Sequence, residues 1–120
     1  MKETIKEITY FPNYYISDCG NTYSTLESYR WGYKKDQFRP LAQKVNKEGY
    51  HFIGAYVNRK KIWKTVHKVV VEHFFGEIPK GMTVDHIDGN KSNNHISNLE
   101  VVTRGENTKR YWQRKNGKTN

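Results

Sequence analysis

Asp85 and His86 stand side by side in the sequence, and their side chains could share the work of a hydrolysis. An imidazole with an ordinary pKa near ~6.5 is largely neutral at physiological pH and can take a proton from water. A carboxylate beside it can hold a hard cation. Asn98 and Asn107 follow, each offering an amide oxygen. Breaking a phosphodiester calls for such capacities together: an activated water, a charge clamp on the phosphate and help for the leaving oxygen. An isolated Asp-His pair is most often a surface or turn feature. The weight therefore falls on the elements that carry the four residues.

Those elements read as strand, long loop, strand, helix. Residues 83–87 form a short strand bearing Asp85 and His86, and an Asn- and Gly-rich loop runs from there to Asn98. Leu99-Glu100-Val101-Val102 is a second strand. Thr103 with Glu106 makes a capping-box pattern, so a basic helix follows to about Lys115, with Asn107 in its first turn. Just upstream, Val66, Val69, Val70, His73 and Phe74 recur with helical spacing on a stretch ending at Gly76, although a run of valines also suits a strand. Earlier still the pattern is β-rich. Tyr14-Tyr15-Ile16-Ser17 and Thr22-Tyr23-Ser24-Thr25 flank a turn at Asp18-Cys19-Gly20-Asn21 and form a hairpin. Residues 26–37 are a polar loop. Leu41, Gln43 and Val45 share one strand face, and residues 50–57 and 61–66 complete a three-stranded antiparallel meander.

The ordered stretch Val84-Asp85-His86-Ile87-Asp88-Gly89-Asn90, Asn93-Asn94, Asn98-Leu99-Glu100-Val101-Val102-Thr103 and Glu106-Asn107 resembles the HNH nuclease family, most closely the phage homing endonucleases. The likeness covers about residues 39–110. Residues 14–24 further resemble the DNA-contacting module that often precedes this nuclease domain. The resemblance implies an α+β fold, with an antiparallel β-rich DNA-contact portion over residues 1–63 and a ββα-metal nuclease domain over 64–120. It implies that His86 is the general base, that Asp85 and Asn107 hold Mg²⁺ or another divalent cation such as Mn²⁺, and that Asn98 holds the long loop and orients the His86 ring. Asn107 stands where the family name has its last histidine. The implied activity is metal-dependent hydrolysis of DNA phosphodiesters, as a phage homing-type or free-standing nicking nuclease.

Composition agrees with a polyanionic partner. The 120 residues carry 21 Lys and Arg against 12 Asp and Glu, a formal charge of +9. Charge alone also fits ribosomal and membrane-surface proteins. Arg59, Lys60, Lys61 and Lys64 form a basic strip beside Tyr56 and Trp63. Arg104, Lys109, Arg110 and Arg114 line the last helix, whose Asn107 would bring them near the scissile phosphate. These eight are the expected contacts to double-stranded DNA. No protein partner is evident. The remaining histidines read as structural: His67 packs between helix and hairpin, His51 faces solvent, and His95 is a weak candidate for a phosphate contact. Cys19 is the only cysteine, and no apolar run suits a signal peptide or membrane span. The expected location is the cytoplasm of a bacterial host, with a phage origin by resemblance.

Overall fold

A computed structural model describes residues 2–27 and 32–117. Part of the expected loop, at 28–31, lies outside the described residues. Three antiparallel sheets and two helices follow one another along the chain. The first sheet takes β1 (Ile5–Glu7), β2 (Tyr14–Ser17), β3 (Thr22–Ser24) and β4 (Arg39–Pro40) in sequence order. The second takes β5 (Lys44–Val45), β6 (His51–Val57) and β7 (Lys60–Thr65), and it leads into α1 (Val66–Phe74). The third pairs β8 (Met82–His86) with β9 (Leu99–Thr103), and α2 (Arg104–Gly117) closes the chain. This is the α+β architecture that the family resemblance implied.

The expected N-terminal hairpin is present, with Tyr14 opposite Ser24 and Ile16 opposite Thr22. The segment around Leu41 departs from expectation. Instead of one continuous strand, Arg39–Pro40 pairs with β3, and Lys44–Val45 pairs with β6. Pro40 lacks an N–H and is confined to a sheet edge. Past it, Gln43 spends its amide on Gly20 O and Thr22 Oγ1 as the chain crosses between sheets. Strand β1 carried no signal, because all three of its residues are exposed. The β6–β7 hairpin turns on Asn58 and Arg59, both at positive φ (51° and 65°), the geometry of a two-residue turn matching strand twist.

Helix α1 wins the valine-rich segment through burial. Val66, Val69, Val70 and Val71 are all fully buried, and packing on several sides outweighs the modest helix propensity of β-branched residues. They share one core with Ile8 and Phe11 from the β1–β2 connection, Tyr14 and Ile16 from the first sheet, Ile53 and Ala55 from the second, and Val84 and Leu99 from the third. Residues on both sides of the expected division at 63/64 therefore contribute to a common core. Strand β1 and the connection after it also clamp the end of α1: Lys6 Nζ donates to His73 O at 2.9 Å and Thr9 N–H to His73 Nε2 at 3.0 Å.

Candidate active site

Strands β8 and β9 pair from Met82 opposite Thr103 to His86 opposite Leu99, so the site begins where the two strands part around the loop. Glu106 N–H donates to Thr103 Oγ1 at 3.0 Å, the N-cap that launches α2 directly from β9. Successive side chains on a strand point to opposite faces. Asp85 accordingly meets α2, and His86 meets α1 and the loop.

His86 is 4% exposed. Its ring lies 4.9 Å from that of His67 and 6.2 Å from that of Tyr50. Nε2 is 2.7 Å from Asn94 Oδ1, an atom that can only accept, so Nε2 carries the proton and Nδ1 keeps the lone pair. Burial lowers the pKa of this imidazole; the Asn94 hydrogen bond and the charges of Asp85 and Asp88 oppose that shift without reversing it. The ring is held neutral at physiological pH, in one tautomer and with one basic nitrogen.

Asn98 fastens the loop, as expected, but the ring is not its partner. Its Nδ2 donates to Asp88 Oδ1 and to Asn93 O, both at 2.9 Å, and its Oδ1 accepts from Asp88 N–H at 3.1 Å. The expectation that Asn98 orients His86 is therefore corrected: Asn94, 4% exposed, does so. The residue pattern placed Asn94 only within an Asn- and Gly-rich loop. Nothing in its residue type separates it from its neighbour Asn93, whose side chain instead reaches Asp88.

The Asp85 carboxylate is buried under two guanidinium groups. Arg114 donates to Oδ1 at 3.2 Å and to Oδ2 at 2.9 Å, and Arg110 donates to Oδ2 at 3.1 Å. Burial pushes the Asp85 pKa up, but the hydrogen bonds and charges of the two arginines outweigh it and hold the group below the usual carboxylate range. Arg114 also donates to His86 O at 2.8 Å, and Arg110 reaches Glu100 and Glu106. Of the eight expected DNA contacts, Arg110 and Arg114 are thus engaged with carboxylates rather than facing outward. Arg59, Lys60, Lys61, Lys64, Arg104 and Lys109 are exposed. On the second sheet Lys61 Nζ lies 4.7 Å from the Trp63 ring centre and 5.3 Å from that of Tyr56, beside a groove of about 370 Å³. Gly54 admits this arrangement, since a Cβ there would fall 2.7 Å from a Trp63 ring carbon.

Asn107 lies on the same helical stripe as Arg110 and Arg114, at the i, i+3, i+7 spacing, so α2 presents it on the side that covers Asp85. A carboxylate and an amide oxygen suit a hard divalent cation that keeps much of its hydration. Among the described residues no three His, Cys, Asp or Glu side chains gather as a metal cage. The donor set fits such a cation, and the negative Asp85 carboxylate already pairs with two positive groups; binding would require at least one guanidinium to give way. The other histidines are structural. His95 Nδ1 accepts from Ser97 N–H at 3.1 Å, and His51 bridges Gln43 and Ser92 rather than facing solvent.

Known HNH endonucleases resemble this chain in sequence and fold. Residues 64–109 match the family model for HNH endonucleases. The chain is 33% identical over 105 residues to DNA endonuclease I-HmuI of Bacillus phage SP01, covering 88% of this chain and 55% of that protein. It is 49% identical over 72 residues to the SPbeta prophage-derived HNH homing endonuclease candidate YosQ of Bacillus subtilis (strain 168), covering 58% and 41% respectively. A solved structure describing DNA binding and cleavage by the HNH homing endonuclease I-HmuI superposes with a TM-score of 0.75 at 34% identity, over 95% of this chain and 59% of that one. The chain spans about half the length of the curated relatives it matches.

Proposed function

We propose that this chain, whose residues 64–109 belong to the HNH endonuclease family, is a metal-dependent endonuclease that hydrolyses phosphodiesters of double-stranded DNA to 5′-phosphate and 3′-hydroxyl ends. The observation that carries the reading is His86: buried, neutral, and committed through Nε2 to Asn94, so that Nδ1 can take a proton from water. Asp85 and Asn107 would hold the cation, Mg²⁺ or Mn²⁺. When bound, it would stabilise charge on the phosphate and the leaving oxygen. Arg110 and Arg114, released in part from Asp85, would be placed to meet phosphate oxygens, where a planar guanidinium is well matched. Lys61, Lys64, Arg59 and Lys60 on the second sheet, with Arg104 and Lys109 on α2, would follow the backbone of the duplex. No described helix is long and apolar enough to cross a membrane. The phage and prophage relatives support a phage-encoded protein acting in the bacterial cytoplasm.

His86→Ala tests the reading. With Mg²⁺ present, cleavage should fall by about 10² to 10⁴-fold while DNA affinity stays close to wild type, because the imidazole acts on water. Cleavage at the wild-type rate would overturn the assignment. The double arginine cap on Asp85 favours one rival, a non-catalytic DNA binder in which guanidinium takes the place of the cation. Relaxation of supercoiled plasmid that depends on Mg²⁺ excludes this rival; relaxation in neither the presence nor the absence of Mg²⁺ supports it.

A further inference from the structure

The turn of the N-terminal hairpin touches the active-site loop at the residue that holds His86. Gly20, at φ +84°, lies so close to Asn94 that a Cβ there would fall 2.7 Å from Asn94 Cβ and 3.0 Å from its carbonyl oxygen. Two residues further along the loop, Ile96 N–H donates to Asp18 O at 2.8 Å. Asn94 therefore sits between two anchors, one inside its own loop at Asn93 O and one on the distant hairpin. The hairpin turn is itself stiff. Ser17 is fully buried, and its hydroxyl accepts from Cys19 N–H at 3.2 Å and from Asn21 N–H at 3.0 Å. Gln43 braces the turn from the side: Nε2 donates to Gly20 O at 2.8 Å. Its Oε1 accepts from His51, whose other ring nitrogen meets Ser92 Oγ at 3.1 Å, back in the active-site loop.

We propose that the Asp18–Asn21 turn is a positioning element for the catalytic histidine, acting through Asn94 on the His86 ring. This rests on the endonuclease reading above and extends it. The N-terminal sheet would do more than touch DNA; it would set the tautomer and direction of the base some seventy residues away in the chain. Asn94 is the positioning residue, and Gly20 is the surface it is pressed against. A glycine is required there twice over, by its positive φ and by the close approach.

The experiment separates these two requirements. Gly81 has the same φ of +84°, and a Cβ there would have nothing within 4 Å, so Gly81→Ala carries the same backbone strain without the contact. Gly20→Ala, Gly81→Ala, Asn94→Ala and Asn94→Asp are compared in the full chain. The readouts are steady-state cleavage of a duplex bearing a mapped site at saturating Mg²⁺, and the ¹⁵N shifts of the His86 ring. Gly20→Ala and Asn94→Ala should lower kcat about tenfold or more, with KM within about twofold, since a small misplacement of a catalytic group has effects of this order. In both, the ring signals should move from a single Nε2–H tautomer towards a mixture. Asn94→Asp keeps an acceptor oxygen and should recover most of kcat; Gly81→Ala should match wild type in both readouts. Wild-type kcat and ring shifts in Gly20→Ala would overturn the proposal, as would a loss confined to KM. Should Gly20→Ala fail to fold, Ser17→Ala loosens the same turn by removing its hydroxyl, and unchanged ring shifts there would overturn the proposal equally. A wild-type protein that cut no DNA would defeat the endonuclease reading, while the ring spectra would still report whether the turn holds His86.

Discussion

The buried histidine beneath the site makes folding stability sensitive to mild acid. His67 is 5% exposed, with its ring stacked 5.3 Å from that of Tyr50 and 4.9 Å from that of His86. Burial, with lesser contributions from His86 and Lys68, pushes its pKa down from 6.5 to about 3. The depressed value means that below pH 6.5 the unfolded chain binds a proton at this position and the folded chain does not. The stabilisation is thus complete above 6.5 and is lost progressively as pH falls towards 3. Between pH 7 and pH 5 the unfolded state gains about 2 kcal/mol from this one group, at 1.36 kcal/mol per pKa unit. That is a large share of a typical stability of about 5–15 kcal/mol. Urea unfolding of wild type and His67→Phe at the two pH values measures it, since phenylalanine keeps a ring against Tyr50 and cannot titrate. Wild type should lose about 2 kcal/mol more than the variant over that interval. Identical pH dependence in the two proteins would refute the argument that burial keeps His67 neutral.

Further outcomes follow from the rest of the site. Arg114→Ala removes one of the groups covering Asp85; because Arg114 is 37% exposed, the effect is discounted to about 1 kcal/mol, and Mn²⁺ binding without DNA should tighten about fivefold by paramagnetic resonance. Weaker Mn²⁺ binding in that variant would contradict a competition between guanidinium and cation. Asp85→Asn should raise the Mg²⁺ concentration needed for cleavage more than Asn107→Ala does, since it removes the charged ligand, and activity surviving in EDTA would count against both assignments. Lys61→Ala with Lys64→Ala should weaken DNA binding and flatten its dependence on log salt by about two counterions, read by fluorescence anisotropy across a salt series. With one Asp85–His86 pair per chain, limiting enzyme should convert supercoiled plasmid to open circles well before linear DNA appears; linear product arising at once would mean a concerted dimer.

The strand bearing Asp85 and His86, the second strand and the final helix were legible to within a residue or two. Their signals are local: alternation over 83–87, the Thr103–Glu106 cap, and turn residues between. The same is true of the N-terminal hairpin; for α1, apolar periodicity and a terminal glycine marked the bounds, while burial decided helix over strand. Asp85 and His86 stood out through the family resemblance of the ordered stretch around them, since by residue type alone an Asp-His pair is a common surface or turn feature. Strand β1 escaped notice because an exposed edge strand needs no apolar pattern, and the break at Leu41 was decided by a glutamine reaching a different sheet.

Partnerships across the fold were of another kind. Asn93, Asn94 and Asn98 are chemically identical, and only the path of the loop sends Asn94 to the ring, Asn98 to Asp88 and Asn93 alongside it. Arg110 and Arg114 read as outward cations until α2 folds across β8 and turns them onto Asp85. His51 and Gly20 gain their roles from residues more than forty positions away. Sequence patterns report the face a residue presents within its own helix or strand. The group it meets there depends on how distant elements are docked, and the shared core built from Ile8, Ile16, Ile53, Val70 and Leu99 is what docks them.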